Sequence, residues 1–388
     1  MKSFKYSIFT LLYIMTMHFN TVVAQTESPC TIEWEIATIL PSLSNGEKQL
    51  GLAGPIAGVH KDLLIIGGGA NFPDKMPWFG GKKKYYDDIF VFTKNEKGEI
   101  TSYGEIYKLP FPIAYGASCS TSRGIVYAGG ENEQGLSDKV LLIQWNEEIK
   151  KVEVKNLPEL PFVVANASIT SVGNIVYIAG GELSNTVSDT FMALDLDNLS
   201  KGWQSMPTLP LKVSHSVMVS QSNGINDCIY IVGGRKRNSR NLTTFYSSVF
   251  QFDLKTNLWS QKADIPYPLS AGTGVAVNGK SILLFGGDKG VTFHKAESLI
   301  VSINNETDLL KKEKLNQEKI AVQTNHPGFS KSVLEYSTQE NTWTTFNVIS
   351  FNVPVTTTAV VWGNNVIIPT GEIKAGIRTP NILLGHLN

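Results

Sequence analysis

The segment Gly371-Glu372-Ile373-Lys374-Ala375-Gly376-Ile377-Arg378-Thr379 sets a carboxylate and a guanidinium close together, with a glycine between them. Gly376 lets the chain fold back, so both side chains can reach one place. Composition alone reads such a stretch as a surface ion pair. In a pocket the same groups have chemistry to offer. A carboxylate can shuttle a proton, more effectively if partial burial raises its pKa toward neutrality. A guanidinium presents a planar fork that binds both oxygens of a carboxylate.

Further polar residues stand at recurring places. Glu131, Glu182, Arg235 and Asp288 each follow a glycine pair, as Glu372 follows Gly371, while Tyr115, Asn166, His215 and Thr356 enter small-residue segments. For each of them a structural hydrogen bond competes with contact to a ligand.

The element that must position these residues is a repeat. Asn174-Ile-Val-Tyr-Ile-Ala-Gly-Gly-Glu182 is a run of β-branched and aromatic residues stopped by two glycines. The same cassette ends at Gly67-Gly68, Gly129-Gly130, Gly233-Gly234 and Gly286-Gly287, with a worn copy at Thr370-Gly371. A period of roughly 50 residues built from short strands and glycine pairs marks a kelch-type β-propeller. Six copies predict an all-β, six-bladed ring. Each repeat reads as a small-residue inner strand (Ala165–Ile169), the apolar strand and a third strand (Phe191–Asp195 or Val249–Asp253). A tryptophan-marked fourth strand follows, at Trp203, Trp259 or Trp343.

In such a blade the loop from the second to the third strand lies on the face where the chain enters each innermost strand. The long excursions at 69–86, 235–246, 289–331 and 372–380 are all loops of this kind. They are expected to project together around the axial mouth, with the polar residues above. Ile32–Ile36 reads as a fourth strand without its first three, and the C-terminus supplies three without a fourth. The N-terminal strand is therefore expected to pair with Asn381–Leu384 and close the ring, removing the free edges. Residues 289–330 interrupt the fifth blade. Thr307–Gln323, with Leu309, Leu310, Leu315 and Ile320, carries a partial helical stripe. Gly80-Gly81-Lys82-Lys83-Lys84 lacks the spacing of a phosphate loop and is discounted.

Lys+Arg and Asp+Glu number 34 each in 388 residues, so no global field favours nucleic acid or an acidic membrane. Residues 1–24, with Lys2, Lys5, an apolar run from Ile8 to Met17 and Val22-Val23-Ala24, read as an export signal. Residues 25–388 then form one exported, periplasmic domain free of the membrane. Cys30, Cys119 and Cys228 have no metal-ligand spacing and read as small apolar residues, without a lipid anchor at Cys30.

The Gly-Glu-x-Lys-x-Gly-x-Arg-Thr pattern, the six repeats and the insertion resemble secreted bacterial N-acetylneuraminate mutarotases (epimerases). The likeness covers the mature chain in rotated order, because the Glu/Arg loop lies mid-chain in better-known members. It thus resembles a cyclically permuted branch. The resemblance implies Glu372 and Arg378 as catalytic residues, a sialic acid as substrate, and no metal or organic cofactor. Arg235, Glu131, Glu182, Asn166, His215 and Tyr115 are the candidate substrate-binding residues. The alternatives are a non-catalytic kelch module that binds glycan or protein, a sialidase, and a copper radical oxidase. Asp-box turns and an arginine triad are not evident in the sequence, nor is a copper-binding constellation.

Overall fold

The architecture follows from a strand that has no exposed face. Leu63–Gly67 and Gly124–Ala128 are buried along their whole length, so each must be covered by a sheet on both sides. Packing blade against blade around an axis does this. A computed structural model describes residues 32–239 and 242–387; the expected leader over residues 1–24, and Cys30, lie outside them.

Six four-stranded antiparallel sheets form the ring. The first blade runs outward through Ile56–His60, Leu63–Gly67, Asp88–Lys94 and Ile100–Lys108. The sixth uses Val360–Trp362, Asn365–Lys374 and Ile377–Leu387, and its outermost strand is Ile32–Ile39. Glu35 stands opposite Leu384 and Ile39 opposite Asn381, which is the expected closure. Ile32 is buried among Val275, Phe285, Val333 and Leu383, so the closing strand also carries core.

Small inner residues have two causes. A Cβ at Gly58 would meet Ile125 of the next blade at 2.6 Å. Inner serines also take the place of strand pairing between blades: Ser118 Oγ accepts from Ala57 N, and Ser168 Oγ donates to Ser216 O at 2.6 Å. On the outside, the indoles of Trp203, Trp259 and Trp343 donate to Pro158 O, Pro207 O and Ala263 O, pinning connectors to blades.

The glycine pair is required by a close approach. Gly180 and Gly181 have φ of 65° and 99°, and a Cβ on Gly180 would lie 2.2 Å from Val213 O. In the first blade the equivalent pair is Gly68-Gly69, one residue later than the sequence reading places it. Gly67 still belongs to the strand, and Ala70 makes the bridge, to Ala53, that Glu131 makes to Ala114. In the sixth blade Thr370 adopts the left-handed conformation, its hydroxyl donating to Thr379 O at 2.6 Å.

The fifth-blade insertion is helical, as expected, and holds two helices, the second over the stripe read from the sequence. They are α1, Val291–Asn305, and α2, Leu309–Thr324, capped by Asp308 accepting from Lys311 N. The expected stripe is only partly covered: Leu309 and Leu310 are 81% and 85% exposed. Cys228 is buried, Cys119 packs against the core between the second and third blades, and both are free thiols. Burial pushes their pKa values up to about 11 and about 12. No helix among the described residues is long and apolar enough to cross a membrane.

Candidate active site

At the axis the six blade entries meet in a closed circle of backbone hydrogen bonds. Gly54 N donates to Thr356 O, Thr356 N to Ala271 O, Ala271 N to His215 O, His215 N to Asn166 O, Asn166 N to Tyr115 O, and Tyr115 N to Gly54 O, all within 2.7–3.0 Å. Every member has φ between 53° and 62°. Only one is glycine. The left-handed conformation costs a side-chain-bearing residue about 1 kcal/mol, and closure of the ring is what holds five of them there. Their side chains are thereby aimed from a rigid base.

A second circle lies outside the first. The residue after each glycine pair bridges to the residue before the blade entry, giving Ala70, Glu131, Glu182, Arg235, Asp288 and Glu372 equivalent positions. Both circles face one cavity of about 580 Å³. All eight candidate catalytic and substrate-binding residues line it, Tyr115, Glu131, Asn166, Glu182, His215, Arg235, Glu372 and Arg378, and so do Asp288 and Thr356.

Glu372 and Arg378 are cross-strand partners in the long hairpin of the sixth blade, which turns at Ala375-Gly376. The segment read as a loop is thus two strand ends, and the pleat sets the two residues side by side. Glu372 Oε1 accepts from Gly376 N at 2.8 Å, while Oε2 lies 3.7 Å from Arg378 Nη2. Arg378 has a side chain only 4% exposed. Its guanidinium lies over the Phe72 ring, 4.8 Å from the centroid, and Nη2 donates to Tyr115 Oη at 3.4 Å. Among the described residues, Nε and Nη1 have no hydrogen-bond partner. Unspent donors on a buried cation are costly, and an anion held against them would relieve that cost.

Across the cavity, Arg235 Nη2 donates to His215 Nε2 at 3.0 Å, and its guanidinium lies 4.9 Å from the Phe293 ring centroid. Burial, reinforced by Arg235 and Arg237, holds the His215 imidazole well below its ordinary pKa. Burial also lowers Arg235, opposed by Glu182, Asp288 and Glu372. Glu182 accepts from Asn166 Nδ2 and Ser214 Oγ, each at 3.4 Å.

Several wall residues are not among the candidates named from the sequence. Lys83, set aside with its glycine-lysine run, pairs with Glu131 at 2.8 Å and lies 4.5 Å from the Tyr115 ring centroid. Burial opposes its charge, but Tyr115, Glu131 and Tyr85 around it raise its pKa. Tyr85 also donates to Glu131, and burial together with that carboxylate pushes its phenol up to about 12. Phe72 and Trp78 come from the same first-blade loop. Its position between second and third strands was the available clue.

The insertion supplies Phe293, Ala296, Glu297 and Ile300 from α1, with His326 and Phe329 beyond α2. Burial lowers the His326 pKa against the opposing influence of Asp288 and Glu372. α1 is clamped to the fourth-blade loop at Thr243. That residue donates through N and Oγ1 to Glu297 at 2.9 and 2.7 Å, and its carbonyl accepts from His294 Nε2 at 2.7 Å.

The profile of a family described as N-acetylneuraminate epimerase matches residues 157–388. The chain is similar to the N-acetylneuraminate epimerase of Brucella suis, 33% identical over 130 residues, or 31% of this chain and 32% of that protein. It is similar to the Salmonella enteritidis protein of the same name, 27% identical over 227 residues, 58% of this chain and 56% of that one. The Vibrio cholerae protein of that name is 24% identical over 228 residues, 58% of each. The alignments therefore span from about a third to somewhat over half of these relatives' lengths. The profile match holds His215, Arg235, the insertion and the Glu372–Arg378 hairpin; Lys83, Tyr115 and Glu131 lie before it.

Proposed function

Because the chain belongs to the N-acetylneuraminate epimerase family, we propose that its axial cavity accelerates the exchange of the α and β anomers of N-acetylneuraminate. The observation that carries this reading is Arg378, a buried guanidinium with two nitrogens that have no partner among the described residues, beside a carboxylate in the cavity wall. The anomeric carbon of a sialic acid bears a hydroxyl and a carboxylate together. Arg378 suits the carboxylate, which brings the hydroxyl toward Glu372.

Exchange of anomers requires ring opening. Glu372 takes the proton of the anomeric hydroxyl, the electrons of that O–H bond form a ketone, and the bond from the anomeric carbon to the ring oxygen breaks. The ring oxygen then receives the proton from Glu372. Rotation about the exposed bond and reclosure on the other face give the second anomer, so Glu372 ends as it began. The Gly376 N–H on Oε1 orients the carboxylate and leaves Oε2 to carry the proton. Proximity and a prepositioned acid–base group are enough for this chemistry. The leader read over residues 1–24 supports action after export to the periplasm.

The test starts from pure α-anomer released by a sialidase and follows its conversion by proton NMR. The purified protein should shorten equilibration well below that in buffer. Equal rates with and without protein would refute the mutarotase reading and favour a sugar-binding module.

A further inference from the structure

The inner circle brings a histidine under an arginine that faces the cavity. An arginine side chain can only donate, so the 3.0 Å contact from Arg235 Nη2 requires a lone pair on His215 Nε2. The ring proton must then sit on Nδ1, which lies 3.1 Å from Ser214 Oγ. Ser214 Oγ in turn has two acceptors in reach, the Arg235 carbonyl at 3.3 Å and Glu182 Oε1 at 3.4 Å, the latter lying 3.9 Å from Nδ1. Donors and acceptors run in one direction from the Arg235 guanidinium through His215 to Ser214, whose one hydrogen goes to either of these two oxygens. Among the described residues, His215 is the hydrogen-bonding partner of the Arg235 side chain. The stem of the imidazole is fixed, because the His215 backbone is bonded on both sides within the axial circle.

We propose that His215 is a positioning residue, not a substrate contact: as a neutral, Nδ1-protonated imidazole it holds the Arg235 guanidinium toward the substrate, and its protonation releases that arginine. An imidazolium would offer Arg235 a second donor and a like charge in place of an acceptor. The groups that face His215 are Glu182 from the third blade and Arg235 and Arg237 from its own. Asp288 and Glu372, in the fifth and sixth blades, act on Arg235. Burial first, and then the two cations Arg235 and Arg237, keep the ring neutral at ordinary pH, as its lowered pKa reflects. Substrate affinity should therefore persist at neutral pH and fail when acid protonates His215.

The role in catalysis rests on the mutarotase reading; the tautomer does not. Ring 15N NMR of the wild-type protein at pH 7.5, without substrate, should show His215 protonated on Nδ1. An Nε2–H tautomer would overturn the proposal whatever the protein does with sugars.

Two substitutions have precedents in the same circle, since Asn166 and Tyr115 hold the same backbone conformation. His215→Phe removes the acceptor and should raise KM about 10- to 100-fold, with kcat changed far less. His215→Asn restores a non-titrating acceptor and should recover at least about tenfold of that loss. Wild-type KM should climb about tenfold per pH unit below the His215 pKa, whereas the Asn variant should stay flat there. Thermal unfolding and circular dichroism confirm that each variant is folded. In an Arg235→Met background the His215 substitutions should add little further loss. The proposal fails if the Asn variant keeps the wild-type pH dependence, or if folded His215→Phe lowers kcat with KM unchanged. Absence of wild-type acceleration at pH 7.5 would instead count against the mutarotase reading, leaving the NMR result to judge His215.

Discussion

Glu372 and Arg378 are held as a pair by strand register, and their contributions should be coupled. Glu372→Gln keeps the shape and can still accept from Gly376 N, but it cannot take a proton. Loss of a general base of this kind costs about 10²–10⁴-fold in rate, so kcat for anomer exchange should fall by that amount. Arg378→Lys keeps the charge and loses the fork; kcat/KM should drop about 10- to 100-fold, mainly through weaker substrate carboxylate binding. If both act on one transition state, the double variant should be less impaired than the product of the single effects. An unchanged rate for folded Glu372→Gln would move the proton shuttle to another acid of the outer circle, with Glu131, Glu182 and Asp288 next to be tested. The pairing of these two residues was legible from their spacing around Gly376. The unspent donors on Arg378 were not, since they depend on Phe72 and Tyr115, which come from other blades.

At the scale of the element, the helical insertion builds the site more than it builds the core. Only Leu299 is buried in α1 and no residue is buried in α2, yet α1 lines the cavity and stacks Phe293 against Arg235. The fifth blade does not need the helices to pair its strands, since Ser281–Phe285 bonds directly to Ser332–Ser337. The insertion's ends also lie together, with Ser330 N donating to Gly287 O at 3.0 Å. Replacing residues 290–329 by a short glycine-rich linker should therefore leave a folded propeller by circular dichroism and thermal melting. KM should rise by about tenfold or more as one wall and the Arg235 support disappear. A shortened protein that does not fold would show that the insertion is structural after all.

For the whole molecule, stability is tied to closure of the ring. Deleting the chain before Pro41 removes Ile32 and Leu40 from the core and opens the edge of Ile377–Leu387. Each buried aliphatic side chain contributes about 2 kcal/mol, and the lost strand hydrogen bonds add to this. The truncated protein should unfold at markedly lower denaturant and self-associate through the open edge, read by equilibrium unfolding and light scattering. Unchanged stability would mean that the ring does not depend on this strand.

Acid should weaken the ring by a separate route. Burial lowers the pKa values of His60, His215 and His326 below the ordinary 6.5, with Lys61 adding to the effect at His60. The unfolded chain therefore binds protons that the folded one refuses. The stability these groups contribute is full above pH 6.5 and is lost as pH falls from there through their folded values. Denaturant midpoints should decline between pH 7 and 5, less steeply in His215→Asn. A flat profile over that range would contradict it.

The blade count, the strand order, the N-terminal closure and the face that carries the site were all present in the sequence. Each is a local pattern that recurs: a β-branched run, a glycine pair, a tryptophan and a long loop at the same place in each repeat. The fold needs that local chemistry in every blade, so one copy explains the next. What only the tertiary structure decided lies across blades. Which glycines of the first blade form the pair depends on Ala70 bridging Ala53. The closed circle of six left-handed residues exists only once the ring is complete. Lys83 reaches the site because the first-blade loop brings it to Glu131, and α1 is a wall because Thr243 of another blade holds it. The Lys83 and Thr243 contacts join different blades and occur once each, so no repeat announces them.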